Sequence, residues 1–189
     1  MGVKKLNLST IQQYTEIEDA SSIKHEYEGG EVLAMTGGSL NHGILCGNAY
    51  NELRAGVEQD DACNAFGSEI RIHIEAADAI VYPDAMVICG TIQTSEEDVE
   101  AVTNPVLIVE VLSKSTESYD RGDKFYKYQQ LESFQEYVLV AQDKAVVETF
   151  FRKDTNVWEI ARFSGLDAMV ELKSIPVSIK MSQLFVKVN

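Results

Sequence analysis

Basic residues are scarce in this sequence. Its 189 residues include 16 Lys plus Arg against 30 Asp plus Glu, which leaves a formal net charge of −14 and a pI near 4.6. Affinity for phosphates comes mainly from Lys and Arg displacing counterions, so a broad electrostatic footprint for nucleic acid is excluded. Cysteine is also rare. Cys46, Cys63 and Cys89 are odd in number, widely spaced and outside any CxxC pair. They suggest neither a disulfide scaffold nor a zinc knuckle, and small apolar core residues are expected instead. No run approaches the roughly 18 apolar residues of a membrane-spanning helix. Met1-Gly2-Val3-Lys4-Lys5-Leu6 lacks an apolar signal core and the hydroxyl residue that a myristoylation motif carries at position 6, so a cytoplasmic location is expected. With three prolines and no low-complexity tract, the chain reads as one domain over 1–189.

What remains is the balance of a globular α+β (mixed α/β) protein. A helix is expected over 8–20, capped by Ser9 or Thr10. Two strands at 23–27 and 31–35 flank Glu28-Gly29-Gly30, a hairpin signature. Apolar spacing predicts an amphipathic helix over 39–57. Ile70, Ile72 and Ile74 alternate with Arg71, His73 and Glu75, the period of a strand with one buried and one solvated face. A strand candidate at 79–89 is interrupted by Pro83, and residues 105–112 (PVLIVEVL) read as a central strand covered on both faces. A helix over 116–131, strands at 136–141, 145–152 and 157–163, and a short helix at 181–185 complete the reading. The expected organisation is an N-terminal helix and hairpin (8–36), a core (39–163) and an extension (164–189).

Two acids stand where strand physics disfavours them. Glu110 lies inside the most apolar segment, and an isolated buried carboxylate is costly unless paired, protonated or bound to a metal. Asp84 follows Pro83, where a missing ladder donor lets a strand splay and re-aim a side chain. If the strands are neighbours, both carboxylates converge into a site for a hard divalent cation such as Mg²⁺. The plain structural alternative is that Asp84 caps a turn and Glu110 pairs with a lysine or a backbone amide. Asp120 and Lys124 lie four apart on the next helix, so Lys124 either reaches back to the carboxylates or forms an exposed helix ion pair. His25 and His73 sit in no motif. Glu69 and Arg71 could line a groove, though alternation alone predicts a solvated face. Tyr119, Tyr126 and Tyr128 are expected to pack rather than to stack on bases.

These residues carry a resemblance. Tyr27-Glu28-Gly29-Gly30-Glu31-Val32, Ser39-Leu40-Asn41-His42, Tyr82-Pro83-Asp84-Ala85-Met86-Val87 and Val109-Glu110-Val111-Leu112-Ser113-Lys114-Ser115-Thr116, followed by Asp120-Arg121-Gly122-Asp123-Lys124, resemble the Uma-two family of the PD-(D/E)XK nuclease superfamily. The similarity runs from about the first helix to Arg152. It implies a restriction-endonuclease-like core, a mixed central β-sheet flanked by helices. It also implies a catalytic set of Asp84, Glu110 and Lys124, with Asp84 and Glu110 as ligands of Mg²⁺ or Mn²⁺. The superfamily pattern would place its lysine at Leu112; here Lys124 on the following helix is the matching position. Glu31, His42 and Asp120 are expected to support the site, although a lone histidine in the first turn of a helix is otherwise a surface or capping residue.

The implied activity is metal-dependent hydrolysis of DNA phosphodiester bonds, with a homodimer as a plausible assembly. A catalytically inactive or regulatory binding subunit is the alternative, and RNA or a small nucleotide a further substrate class. The net charge of −14 then predicts that basic surface is confined to the neighbourhood of Lys114, Arg121, Lys124 and Lys127.

Overall fold

The computed structural model describes residues 9–59 and 61–188. Helix α1 (Ile11–Ala20) opens on a capping box: the Thr10 hydroxyl accepts from the Gln13 amide at 3.2 Å, and the Gln13 side chain accepts from the Thr10 amide at 3.0 Å. Residue 8 of the expected helix lies outside the described residues. Strands β1 (His25–Glu28) and β2 (Glu31–Ala34) pair around Gly29 and Gly30, whose φ values of 55° and 90° are why glycine is needed there. Helix α2 (Leu40–Val57) is capped by Ser39 and buries Leu45, Ala49, Leu53 and Val57 along one face.

The chain continues through β3 (Cys63–Gly67), β4 (Arg71–Ile74), a 3₁₀ turn, β5 (Ala79–Val81), β6 (Ala85–Cys89), β7 (Ala101–Val102) and β8 (Leu107–Leu112). Next come α3 (Glu117–Tyr119), a π-helical turn (Asp120–Lys124) and α4 (Phe125–Tyr128). Strands β9 (Glu136–Ala141), β10 (Val146–Asp154), β11 (Val157–Ser164), β12 (Met169–Glu171) and β13 (Ser178–Lys180) precede α5 (Met181–Leu184).

Among the described residues, six strands form a sheet in the order β11-β10-β9-β8-β6-β3, in which only the β8–β9 pair is parallel. A second sheet runs β2-β1-β5-β4-β7. One face of the six-stranded sheet, with Ala85, Val87, Val109, Val111 and Val138, packs on α2 and on the segment from Val170 to Phe185. Its other face, with Met86, Ile88, Ile108 and Leu139, packs on Ile72, Ile74 and Val81 of the second sheet and on Tyr128 and Phe134. Strand β8 is therefore covered on both sides, as its continuous apolar run predicts.

Three expectations change. Strand β4 has no wet face, because Arg71 and His73 are buried against Asp98 and Ser95. Alternation reports that a strand has two faces; it does not report whether the polar one is covered. The single helix expected over 116–131 is a short, broken one, with the π turn between two brief α segments. Cys63 and Cys89 face each other across the β3–β6 pair and form a disulfide, while Cys46 is free. A pairing set by strand register across 26 residues leaves no mark in local spacing. Closing a loop of that length contributes about 3 kcal/mol of stability in the chain-entropy description.

Candidate active site at the ends of strands β6 and β8

Pro83 lies where the chain passes from β5 of one sheet to β6 of the other. Ala85 is opposite Val109 in the antiparallel β6–β8 register, so Asp84 emerges beside Glu110 and Val111. Its carboxylate takes over as a ladder acceptor: Oδ2 accepts from the Val111 amide at 2.7 Å. The other oxygen, Oδ1, lies 3.3 Å from Nε2 of His42 on the first turn of α2.

Glu110 is 3% exposed. Its Oε1 accepts from the Tyr128 hydroxyl at 2.8 Å and lies 2.9 Å from Nζ of Lys124. Lys124 also donates to the Tyr82 carbonyl at 2.9 Å and stands 3.4 Å from Glu26 Oε1, which accepts from the Tyr82 amide at 3.1 Å. The Tyr82 peptide is thus held at both ends. Asp120 is buried beside Lys124, and its main-chain carbonyl accepts from Tyr137 at 2.9 Å. A cleft of about 340 Å³ opens on the group, lined by His42, Asp84, Glu110, Lys114, Asp120 and Lys124 among others.

One lysine here serves four carboxylates. Burial lowers the Lys124 pKa, but Glu110, Glu26 and Asp120 outweigh it and hold the ammonium charged. Burial pushes Glu110 well above the usual carboxylate range against the pull of Lys124, and Asp84 and Asp120 push it further. At Asp84 the upward effect of burial is overcome by His42, the Val111 amide and Lys124, so its carboxyl sits below its ordinary value. Burial raises Asp120. The hydrogen bond to Asp84 raises His42, and burial pushes the Cys46 thiol strongly up. The set brings four carboxyl groups to one lysine and offers hard oxygen donors, a combination that fits Mg²⁺ or Mn²⁺.

Of the expected residues, Asp84, Glu110, Lys124, His42 and Asp120 meet in this cleft. Glu31 does not: it is exposed on the edge strand β2, opposite Glu28. The hairpin's carboxylate at the site is Glu26, on the inner strand β1 that pairs with β5. Glu26, Tyr82, Tyr128 and Cys46 also stand beside these groups, and no local sequence pattern marks them for the site. Only an assignment of β1 as the inner strand would have found Glu26. Asp120 and Lys124 are not an exposed helix pair, since both are buried. Lys127 is buried too, 2.6 Å from Glu28, and Arg121 is held by Glu117 and Glu148, so the expected basic patch reduces to Lys114. Tyr128 packs in the core, whereas Tyr126 is 67% exposed and does not.

Comparison with known proteins agrees with this architecture. Two proteins of Synechocystis sp. (strain ATCC 27184 / PCC 6803 / Kazusa), both described as uncharacterized, are similar in sequence. One, slr1290, is 32% identical over 92% of this chain and 90% of its own length; the other, sll1609, is 30% identical over 94% and 99%. The crystal structure of a "putative nuclease belonging to DUF820" from Anabaena variabilis ATCC 29413 superposes with a TM-score of 0.73 at 17% identity, covering 93% of this chain and 97% of that one. The fold is restriction-endonuclease-like. A family model described as "Putative restriction endonuclease" matches residues 11–183, and the chain belongs to that family, Uma2.

Proposed function

We propose that the protein is a metal-dependent endonuclease that hydrolyses DNA phosphodiester bonds. The observation that carries this reading is the meeting of Asp84, Glu110 and Lys124 at one strand end, with one buried cation among four carboxylates. Asp84 and Glu110 would hold the ion, which when bound supplies an activated water and neutralises charge on the phosphoryl group. Val111 and Tyr128 fix the two carboxylates by hydrogen bonds, so little reorganisation is required at the moment of reaction. Lys124, kept charged and pinned between Glu110 and the Tyr82 carbonyl, positions the attacking water or steadies charge developing on the phosphate. Glu26 orients Lys124 by sharing the Tyr82 peptide with it. Asp120 adds negative potential, and His42 fixes Asp84.

Lys114 at the cleft lines a path for the backbone, and Lys144 is exposed on the adjoining depression. So few cations imply weak, mildly salt-dependent DNA binding. A homodimer would let two such sites address both strands.

The test is nicking of plasmid and single-stranded DNA with Mg²⁺ or Mn²⁺ by the intact protein, Asp84→Ala and Glu110→Ala. Metal-dependent cleavage lost in both variants is expected. Equal inactivity of all three, or a trace surviving both substitutions, would remove the catalytic reading. Binding of DNA without cleavage would favour the second reading, a binding subunit, to which the burial of Glu110 and Lys124 also points.

A further inference from the structure

His42 and Cys46 stand one turn apart on α2, so they project from the same face of the helix. Asp84 reaches that face from the end of β6, and one ligating atom from each residue lies within 4.8 Å of the others. The 3.3 Å between His42 Nε2 and Asp84 Oδ1 is longer than the roughly 2.7–2.9 Å of a strong charge-assisted hydrogen bond. It matches the separation of about 3.3 Å between two ligands each about 2.0 Å from a tetrahedral ion. His42 Nδ1 is buried with no hydrogen-bond partner, and Nε2 is the ring atom that faces the carboxylate.

We propose that His42, Cys46 and Asp84 form a binding site for a thiophilic divalent cation of the zinc class, on the α2 side of Asp84. Nitrogen, sulfur and oxygen donors together suit zinc or cobalt and do not suit Mg²⁺, which takes oxygen. All three residues also line a groove of about 770 Å³ that adjoins the cleft holding Glu110 and shares His42 and Asp84 with it, while Cys46 lines the groove and Glu110 the cleft. Gly43 lines that groove beside His42, and a Cβ added there would meet nothing within 4 Å, so solvent has room to complete a fourth ligand position. Binding breaks the Cys46 S–H bond, forms a sulfur–metal bond and releases the proton to solvent, with no change of oxidation state. Because Asp84 belongs to both groups, an ion here withdraws it from Glu110, and zinc would oppose Mg²⁺. The site goes beyond the nuclease reading and does not require it.

Titration of the full chain with Co²⁺ tests the site without reference to cleavage. A thiolate-to-cobalt charge-transfer band in the near ultraviolet is expected, abolished by stoichiometric Zn²⁺ and untouched by excess Mg²⁺. The band should vanish in Cys46→Ser, weaken at least about tenfold in affinity in His42→Ala, and persist in Glu110→Gln. Zn²⁺ should also slow alkylation of Cys46 in the unaltered protein, a readout that holds if a variant fails to fold. Absence of the band in the unaltered protein, its survival in Cys46→Ser, or alkylation indifferent to Zn²⁺ would overturn the proposal. A protein that shows the band but cuts no DNA would support this site and refute the nuclease, so the two ideas fail separately.

Discussion

Two clusters of buried charge meet at Tyr82 and are built differently. On its side-chain end, Arg71 forms a bidentate pair with Asp98, its second bond at 2.8 Å, and contributes a longer bond of 3.4 Å to the Tyr82 hydroxyl. That hydroxyl donates to Glu18 at 2.8 Å, and Glu18 in turn holds His25 at 2.9 Å. Burial and the Glu18 carboxylate push the Tyr82 phenol up to about 12 against the pull of Arg71, so it stays a donor. The guanidinium there, on β4 of the second sheet, has one buried carboxylate matched to it. On the main-chain end of Tyr82, Lys124 is shared among Glu110, Glu26 and Asp120 while Asp84 stands near, and the group faces a cleft. A closed, balanced pair holds elements together; an open, unbalanced set retains affinity for a cation from outside.

That contrast can be broken by experiment. The largest effect on stability is expected for Asp98→Ala, which leaves the Arg71 charge buried and unpaired at a cost of about 3–5 kcal/mol, measured by urea unfolding. A loss under about 1 kcal/mol would mean that the pair is not the closed structural unit described. Glu110→Gln should lower cleavage about 10²–10³-fold, comparable to removing one preorganised electrostatic group. Its unfolding free energy should fall less than that of Asp98→Ala, because Lys124 keeps Glu26 and the Tyr82 carbonyl. If the two variants lose equal stability, the asymmetry between the clusters disappears.

A smaller effect follows from linkage. Mn²⁺ at tenfold over its dissociation constant should stabilise the unaltered protein by about 1.4 kcal/mol and should do nothing for Asp84→Asn. Calorimetry showing the same shift in both would place the ion elsewhere. The smallest effect concerns pH. The Asp84 carboxyl is lowered from 3.8, so its contribution is present above that value and lost as pH falls through the folded-state pKa. His42 is raised from 6.5, so its contribution is present below that value and lost as pH rises through its own folded-state pKa. The pair therefore stabilises most between pH 3.8 and 6.5, and the His42→Ala stability difference should shrink on both sides of that window. A difference flat across pH would remove the pair from the account.

Much of this was legible in the sequence where one residue's chemistry conflicts with its neighbours. Glu110 inside an apolar run and Asp84 after a proline both mark positions where burial needs a compensating partner, and both lie in the cleft. The Thr10 cap, the glycine turn and the doubly covered β8 follow from local rules. What local rules do not contain is which strand lies inside. Glu26 and Glu31 flank the same turn and carry the same side chain, yet β1 pairs with β5 while β2 is the edge, and only Glu26 reaches Lys124. The Cys63–Cys89 bond and the covered polar face of β4 were hidden for the same reason, since each depends on pairing between distant segments.

The π turn at Asp120–Lys124 makes residue count, not only residue identity, a condition of the site. A π turn closes its hydrogen bonds over one more residue than an α turn, so it behaves as a single insertion in an otherwise ordinary helix. Excising Arg121, Gly122 or Asp123 would restore α geometry with the downstream facing kept, so the change would fall on the turn itself, where Asp120 and Lys124 would stand three apart instead of four. Tyr128 would still face Glu110 and Lys127 would still face Glu28, while Asp120 and Lys124 would lose their present placement although both would still be encoded. The arrangement is therefore exposed to single-codon deletions in a stretch where many substitutions at Arg121, Gly122 or Asp123 would leave its register intact.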